Sequence, residues 1–166
     1  DLWHGYFNKK DTHGTPFRRA IEEKLIDPSL SCQIGLRGPL YDKKDSTMSE
    51  DEGLLAITGP ELHQIGIDRA IKLVKERVGN GPAYLTFDID FLDPAYAPGT
   101  GTPEAGGFTG YESIRVIRGL KNIDFIGFDL VEVMPGYDPT QMTCLLAANI
   151  IYEFISLIAL QKKAGR

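Results

Sequence analysis

Short apolar runs separated by stretches of helical periodicity constrain this chain more than any other feature. Ser31 to Arg37, Leu54 to Thr58, Ala83 to Phe87 and Phe125 to Val131 each read as a strand. Their nearly continuous apolar character suits strands covered on both faces of a parallel sheet. Helical patterns lie between them. Thr15 to Lys24 opens with Thr15 as a cap and Pro16 at the first helical position. Ile67, Ala70, Ile71, Val74 and Val78 form one stripe at helical spacing. Thr109 and Glu112 make a capping-box pair, with Ile114, Ile117 and Leu120 following on one side. Thr140 is placed to cap a long last helix that runs out at Lys162, Lys163 and Gly165. The polar segment Asp42 to Gly53 reads as a solvated loop or a short surface helix. This alternation predicts an α/β chain with a parallel sheet, forming one domain or part of one.

Composition narrows the function classes. At 166 residues the chain has the size of one domain. A net charge of -5 provides no basic footprint, so no nucleic-acid partner is expected. The longest apolar run, Cys144 to Leu160, contains Asn149, Glu153 and Ser156 and is shorter than a bilayer span, so it reads as a buried helix and no membrane partner is expected. Cys32 and Cys144 both sit in apolar surroundings and read as small core residues rather than a disulfide. With no signal peptide visible, the cytoplasm is the expected compartment, although a chain opening at Asp1 without methionine leaves room for a targeting segment upstream.

The stretch Thr86-Phe87-Asp88-Ile89-Asp90-Phe91-Leu92-Asp93-Pro94 carries the chemistry. It places carboxylates just after an apolar strand, where open parallel sheets bind ligands. On an extended segment, Asp88 and Asp90 would point the same way and converge. Two carboxylates held close repel each other unless a proton or cation intervenes, and a hard divalent cation with oxygen ligands supplies that compensation. A calcium loop fails on position, since Asp93 stands where glycine is required and Gly99 where a glutamate should be. Aspartates that merely cap a turn are the plainer alternative. The sequel weighs against it: Ala97-Pro98-Gly99-Thr100-Gly101-Thr102-Pro103 and then Gly106-Gly107 describe a stiff loop with close backbone approach, beside the acids.

These residues resemble the third signature of the ureohydrolases, the family of arginases, agmatinases, guanidinobutyrases and guanidinopropionases. Further segments resemble agmatinase-type sequence: His13-Gly14-Thr15-Pro16-Phe17-Arg18-Arg19-Ala20, Leu25-Ile26-Asp27-Pro28, Gln33-Ile34-Gly35-Leu36-Arg37-Gly38 and Val131-Glu132-Val133. The resemblance implies a three-layer α/β/α sandwich with a mainly parallel sheet, of which residues 1–166 would be the C-terminal part of a single domain, the N-terminal part missing.

It also implies roles. Asp88 matches the aspartate that bridges two Mn²⁺ ions, and Asp90 matches a ligand of one of them that also stabilises the intermediate or relays its proton. Asp1 falls where a third metal ligand should stand. His13 matches a proton-shuttling histidine; the alternative is a histidine that only hydrogen-bonds the turn at Gly14. Glu132 matches the glutamate that holds the substrate guanidinium. A glutamate between Val131 and Val133 is costly to bury unpaired, and either a guanidinium or a structural salt bridge would compensate it. His4 and His63 read as surface or packing residues.

The implied reaction is hydrolysis of a linear guanidino compound to urea and an amine. Arginases carry acidic residues after the Gly-Leu-Arg segment, whereas Gly38-Pro39-Leu40 follows Arg37 here. That favours agmatine, giving putrescine, over arginine; a guanidinobutyrase or guanidinopropionase type is the alternative. Leu2 to Asp11 would shape the tail-binding end of the pocket. The family's upstream ligands are absent from these residues, so the 166-residue chain alone is expected to be inactive and its full-length parent active. A catalytically inactive binding or assembly subunit is the reading from a different class. The expected partners are a small guanidino substrate and further copies in a homo-oligomer.

Overall fold

The computed structural model describes residues 2–163 and residue 165. The expected strands form as β1 (Cys32–Leu36), β2 (Leu55–Thr58), β3 (Pro82–Asp88) and β4 (Asp124–Val131). They pair in parallel as β1 with β2 and β3 with β4, so the described residues hold two parallel pairs rather than one continuous sheet. Helices α1 (Pro16–Glu22), α2 (Met48–Asp51), α3 (Gly59–Ile65), α4 (Ile67–Val78), α5 (Gly110–Gly119) and α6 (Met142–Lys163) connect and cover them.

Local chemistry sets most helix starts. In α5 the expected box closes: Thr109 N donates to Glu112 Oε2 at 2.8 Å and Glu112 N to Thr109 Oγ1 at 3.1 Å. The same device starts α3, where Thr58 and Glu61 exchange equivalent bonds. Its Thr-x-x-Glu signal lies in the sequence unused by the strand-and-stripe reading. Asp42 to Gly53 resolves into a 3-10 turn (Lys43–Thr47) followed by α2, the short surface helix rather than the loop. At α6 the acceptor is Asp138 rather than Thr140: its Oδ2 takes the Cys144 amide at 2.8 Å. Gln141 intervenes at φ +58°, which places Asp138 over the first turn.

One apolar core joins both strand pairs. Ile57 from β2, Leu62 from α3, Ala70 and Val74 from α4, Phe87 from β3, Ile117 from α5, and Ile150 and Phe154 from α6 are all buried in it. Coverage on both faces holds only in part, because Tyr84 and Ile126 are 54% and 72% exposed. Ile126 is the extra residue where the β3–β4 register shifts between Ala83 and Tyr84, so it turns out of the ladder. Helix α6 runs to 22 residues, long and apolar enough by length and composition to cross a membrane. The shorter run seen in the sequence therefore underestimates it. Only one face of it, with Ile150, Phe154 and Leu157, is buried in the common core, while Leu145, Tyr152 and Ile155 are exposed, so the wholly buried helix expected from the sequence is not what forms. Both cysteines are free, and burial pushes the Cys32 thiol up to about 11, where it is unreactive.

Candidate active site

Strand β3 delivers Asp88 at its carboxyl end. The chain then leaves the extended conformation for a 3-10 turn (Ile89–Phe91), so Asp88 and Asp90 do not share a strand face. Ile89 is fully buried and Phe91 nearly so, and these two apolar anchors force the turn. The carboxylates meet all the same. Asp88 Oδ1 accepts from Asp90 N at 2.9 Å, which makes Asp88 the cap of the turn as well as an acid beside a second acid. Turn-capping and the crowding of a second acid thus coexist in one side chain.

Asp93 serves the loop. Its Oδ2 accepts from Gly106 N at 2.9 Å and Gly107 N at 3.2 Å, and its Oδ1 from Ala95 N at 3.0 Å. These bonds hold its carboxyl below the usual range. Gly107 passes so close that a Cβ there would lie 2.4 Å from Asp93 N, which is why glycine stands in this part of the loop.

The other wall follows β4. Thr100 pairs with Val133 in an antiparallel bridge, and Met134 N donates to Gly99 O at 2.8 Å. This pins the Pro98-to-Pro103 loop against the segment carrying Glu132. Glu132 has φ +65°, a left-handed conformation unfavourable for a side-chain-bearing residue and often found at functional positions. Its carboxylate lies beside Gly101, where an added Cβ would sit 3.8 Å from Oε2. Thr102 Oγ1 donates to Asp90 Oδ2 at 3.4 Å.

The electrostatics are those of crowded acids. Burial first, then the Asp90 charge and next the Glu132 charge push the Asp88 carboxyl up to about 7, against the hydrogen bond from Asp90 N. Burial also raises Asp90, with Arg37 opposing. A cluster of hard oxygen donors that resists ionising is the donor chemistry a divalent cation fits. Among the described residues, however, no three His, Cys, Asp or Glu side chains converge closely enough to hold an ion alone. Asp1 lies outside the described residues.

His13 sits in a different group of side chains. It is exposed, its ring meeting Tyr6 edge-on at 5.3 Å. Tyr6 stacks on Trp3 at 4.8 Å, and its hydroxyl bonds that of Tyr41 at 3.0 Å. His4 and His63 show no site role; His63 stacks on Phe108 and bonds Gly106 O. Arg37 escaped the sequence reading as a site residue, although a charged side chain at a parallel strand's carboxyl end is the signal that could have found it. Its guanidinium donates to Leu92 O at 3.2 Å, to Glu104 O at 2.9 Å and, more closely still, to Asp90 O.

Comparison with known proteins places these features in a family context. A family model described as the arginase family matches residues 1–156. A guanidinopropionase of Pseudomonas aeruginosa is 45% identical over 148 residues, covering 89% of this chain and 46% of the relative. A guanidinobutyrase of the same organism is 47% identical over 152 residues, covering 92% and 48%. The crystal structure of a hypothetical agmatinase from Burkholderia thailandensis superposes with a TM-score of 0.85 at 37% identity, covering 99% of this chain and 49% of that one. The arginase-like α/β fold is therefore shared, and the chain spans about half the length of the curated relatives it matches.

Proposed function

Because the chain belongs to the arginase family, we propose that it supplies Asp88, Asp90 and Glu132 to the centre of a metal-dependent amidinohydrolase. The observation that carries this reading is the crowding of Asp88 by Asp90 in the turn after β3, within reach of the Glu132 charge just past the adjacent parallel strand β4, beside the Pro98-to-Pro103 loop. The reaction is hydrolysis of a linear guanidino compound: water adds to the guanidinium carbon, the bond to the alkyl nitrogen breaks, and urea and a protonated amine leave. Two divalent cations, Mn²⁺ on the family resemblance, would compensate the acids and lower the pKa of the attacking water. Asp88 and Asp90 would hold them, with Asp1 as a further ligand. Glu132 would pair with the guanidinium through charge-assisted hydrogen bonds and fix its plane. Asp90 would help stabilise the intermediate or relay its proton, and exposed His13 would carry a proton to the leaving amine.

Agmatine is the proposed substrate, since Gly38-Pro39-Leu40, rather than an acid to receive an α-amino group, stands directly after Arg37. The relatives named guanidinopropionase and guanidinobutyrase favour a second reading with a carboxylate-tailed substrate. A panel of agmatine, guanidinobutyrate, guanidinopropionate and arginine, scored by kcat/KM for urea release with Mn²⁺, decides between them. No urea from any of the four would leave the inactive binding subunit standing instead. The 166 residues on their own should bind Mn²⁺ weakly and release little urea, while the full-length protein is active. We further propose a cytoplasmic homo-oligomer, supported by the free cysteines and by Leu145, Tyr152 and Ile155 exposed on α6; sedimentation tests the assembly.

A further inference from the structure

Arg37 makes contacts that a loop fastener would not need. Strand β1 has a register irregularity between Ile34 and Leu36, at Gly35, whose φ is +85°. A Cβ on Gly35 would lie 2.6 Å from the Phe91 ring, so the strand passes directly over the acidic turn. The irregularity re-aims the next residues. Arg37 consequently reaches back beneath the turn, past Gly59, whose missing side chain leaves room for its stem: a Cβ there would be 3.3 Å from Arg37 Cδ.

Four main-chain carbonyls then converge on one guanidinium. Nη2 donates to Asp90 O, Leu92 O and Glu104 O, Nε to Glu104 O at 3.3 Å, and Nη1 to Gly35 O at 3.4 Å. Asp90 and Leu92 belong to the acidic turn, and Glu104 to the far end of the glycine-proline loop that carries Thr102. The fork therefore sets the distance between turn and loop. A planar, five-donor cation can do this; a compact ammonium cannot.

We propose that Arg37 is a positioning residue for the carboxylate cluster, holding the Asp88-to-Leu92 turn and the Pro98-to-Glu104 loop in the spacing that cation binding requires. This inference rests on the amidinohydrolase reading of Asp88 and Asp90. Outer partners of metal ligands typically contribute about 10–100-fold to affinity.

The test uses the full-length protein after chelation, with Arg37→Lys, Arg37→Met and Asp88→Asn. Mn²⁺ Kd is measured by calorimetry, folding by near-ultraviolet circular dichroism, and kcat and KM by urea release. Arg37→Lys should fold as the wild type, bind Mn²⁺ at least about tenfold more weakly, and lower kcat with KM nearly unchanged. Should Arg37→Met fail to fold, Arg37→Lys decides alone. A Kd within threefold of wild type in folded Arg37→Lys overturns the proposal, whatever its melting temperature. Unchanged binding in Asp88→Asn would instead overturn the underlying cation reading, so the two failures are distinguishable.

Discussion

Asp88 Oδ1 accepts the Asp90 amide at 2.9 Å, so one carboxylate both shapes the turn and crowds the acid that the turn presents. The two tasks separate in Asp88→Asn. The amide oxygen can still accept from Asp90 N, whereas the charge that a cation would meet is gone. The variant should keep its fold, lose calorimetric Mn²⁺ binding, and drop in kcat/KM by more than the about 100-fold upper figure for an outer partner. Wild-type Mn²⁺ affinity in the folded variant would remove Asp88 from the site.

The crowding has a pH signature in metal-free protein. The Asp88 carboxyl stands at about 7 when folded and near its ordinary 3.8 when unfolded, chiefly through burial. Between those values the native state binds more protons than the unfolded state, so stability falls as pH rises through the window and levels off above about 7. Asp90 acts in the same direction. Melts of chelated protein from pH 4.5 to 7.5 should show a decline that is shallower in Asp88→Asn. Because a bound cation must displace the proton, Mn²⁺ affinity should rise over the same interval. Parallel melting curves for wild type and variant would contradict this account.

Glu132 combines a strained backbone with a side chain that we propose holds the substrate. At φ +65° a non-glycine residue costs about 1–2 kcal/mol. Glu132→Gly should therefore melt no lower than the wild type, while Glu132→Gln keeps the strain. Both should lose about 10–100-fold in kcat/KM, the worth of a hydrogen bond to a charged group of roughly 1.5–3 kcal/mol. If the glycine variant melted well below wild type, the strain argument would fail independently of the kinetics.

Adjacent glycines in the loop should behave differently. A Cβ on Gly107 would lie 2.4 Å from Asp93 N and 2.6 Å from Leu92 C, both main-chain atoms that cannot swing aside. Gly106 faces open space but has φ +78°. Gly106→Ala should cost about 1–2 kcal/mol from its backbone conformation alone. Gly107→Ala should cost more, at the upper end of the roughly 1–3 kcal/mol range for overpacking or beyond, and should also weaken Mn²⁺ binding by displacing the acidic turn. Denaturant midpoints of the two variants provide the comparison.

What could be read in the sequence follows the range of the forces involved. The four strands, the Ile67-to-Val78 stripe and the Thr109–Glu112 box depend on neighbours a few residues away, and each formed within a residue or two of its expected limits. The missed α3 carries the same local signal in Thr58 and Glu61, so it was legible and unread. Thr140 yielded to Asp138 because Gln141 turns left-handed, which no spacing rule anticipates. For the site, Asp88, Asp90 and Glu132 were legible as acids at strand ends. The 3-10 turn between the first two was not, because the burial of Ile89 and Phe91 decides it.

Residue order alone determined the α/β alternation, the acidic turn and the family to which its motifs belong, because those are written in periodicity and in contiguous residue types. Only the tertiary structure decided that Arg37 reaches Asp90 and Glu104 across 53 and 67 residues, that Glu132 is held left-handed beside Gly101, and that His13 joins Tyr6. Those relationships depend on which strand passes over which turn once the core has closed, and they turn a run of aspartates into a cluster whose charges oppose one another.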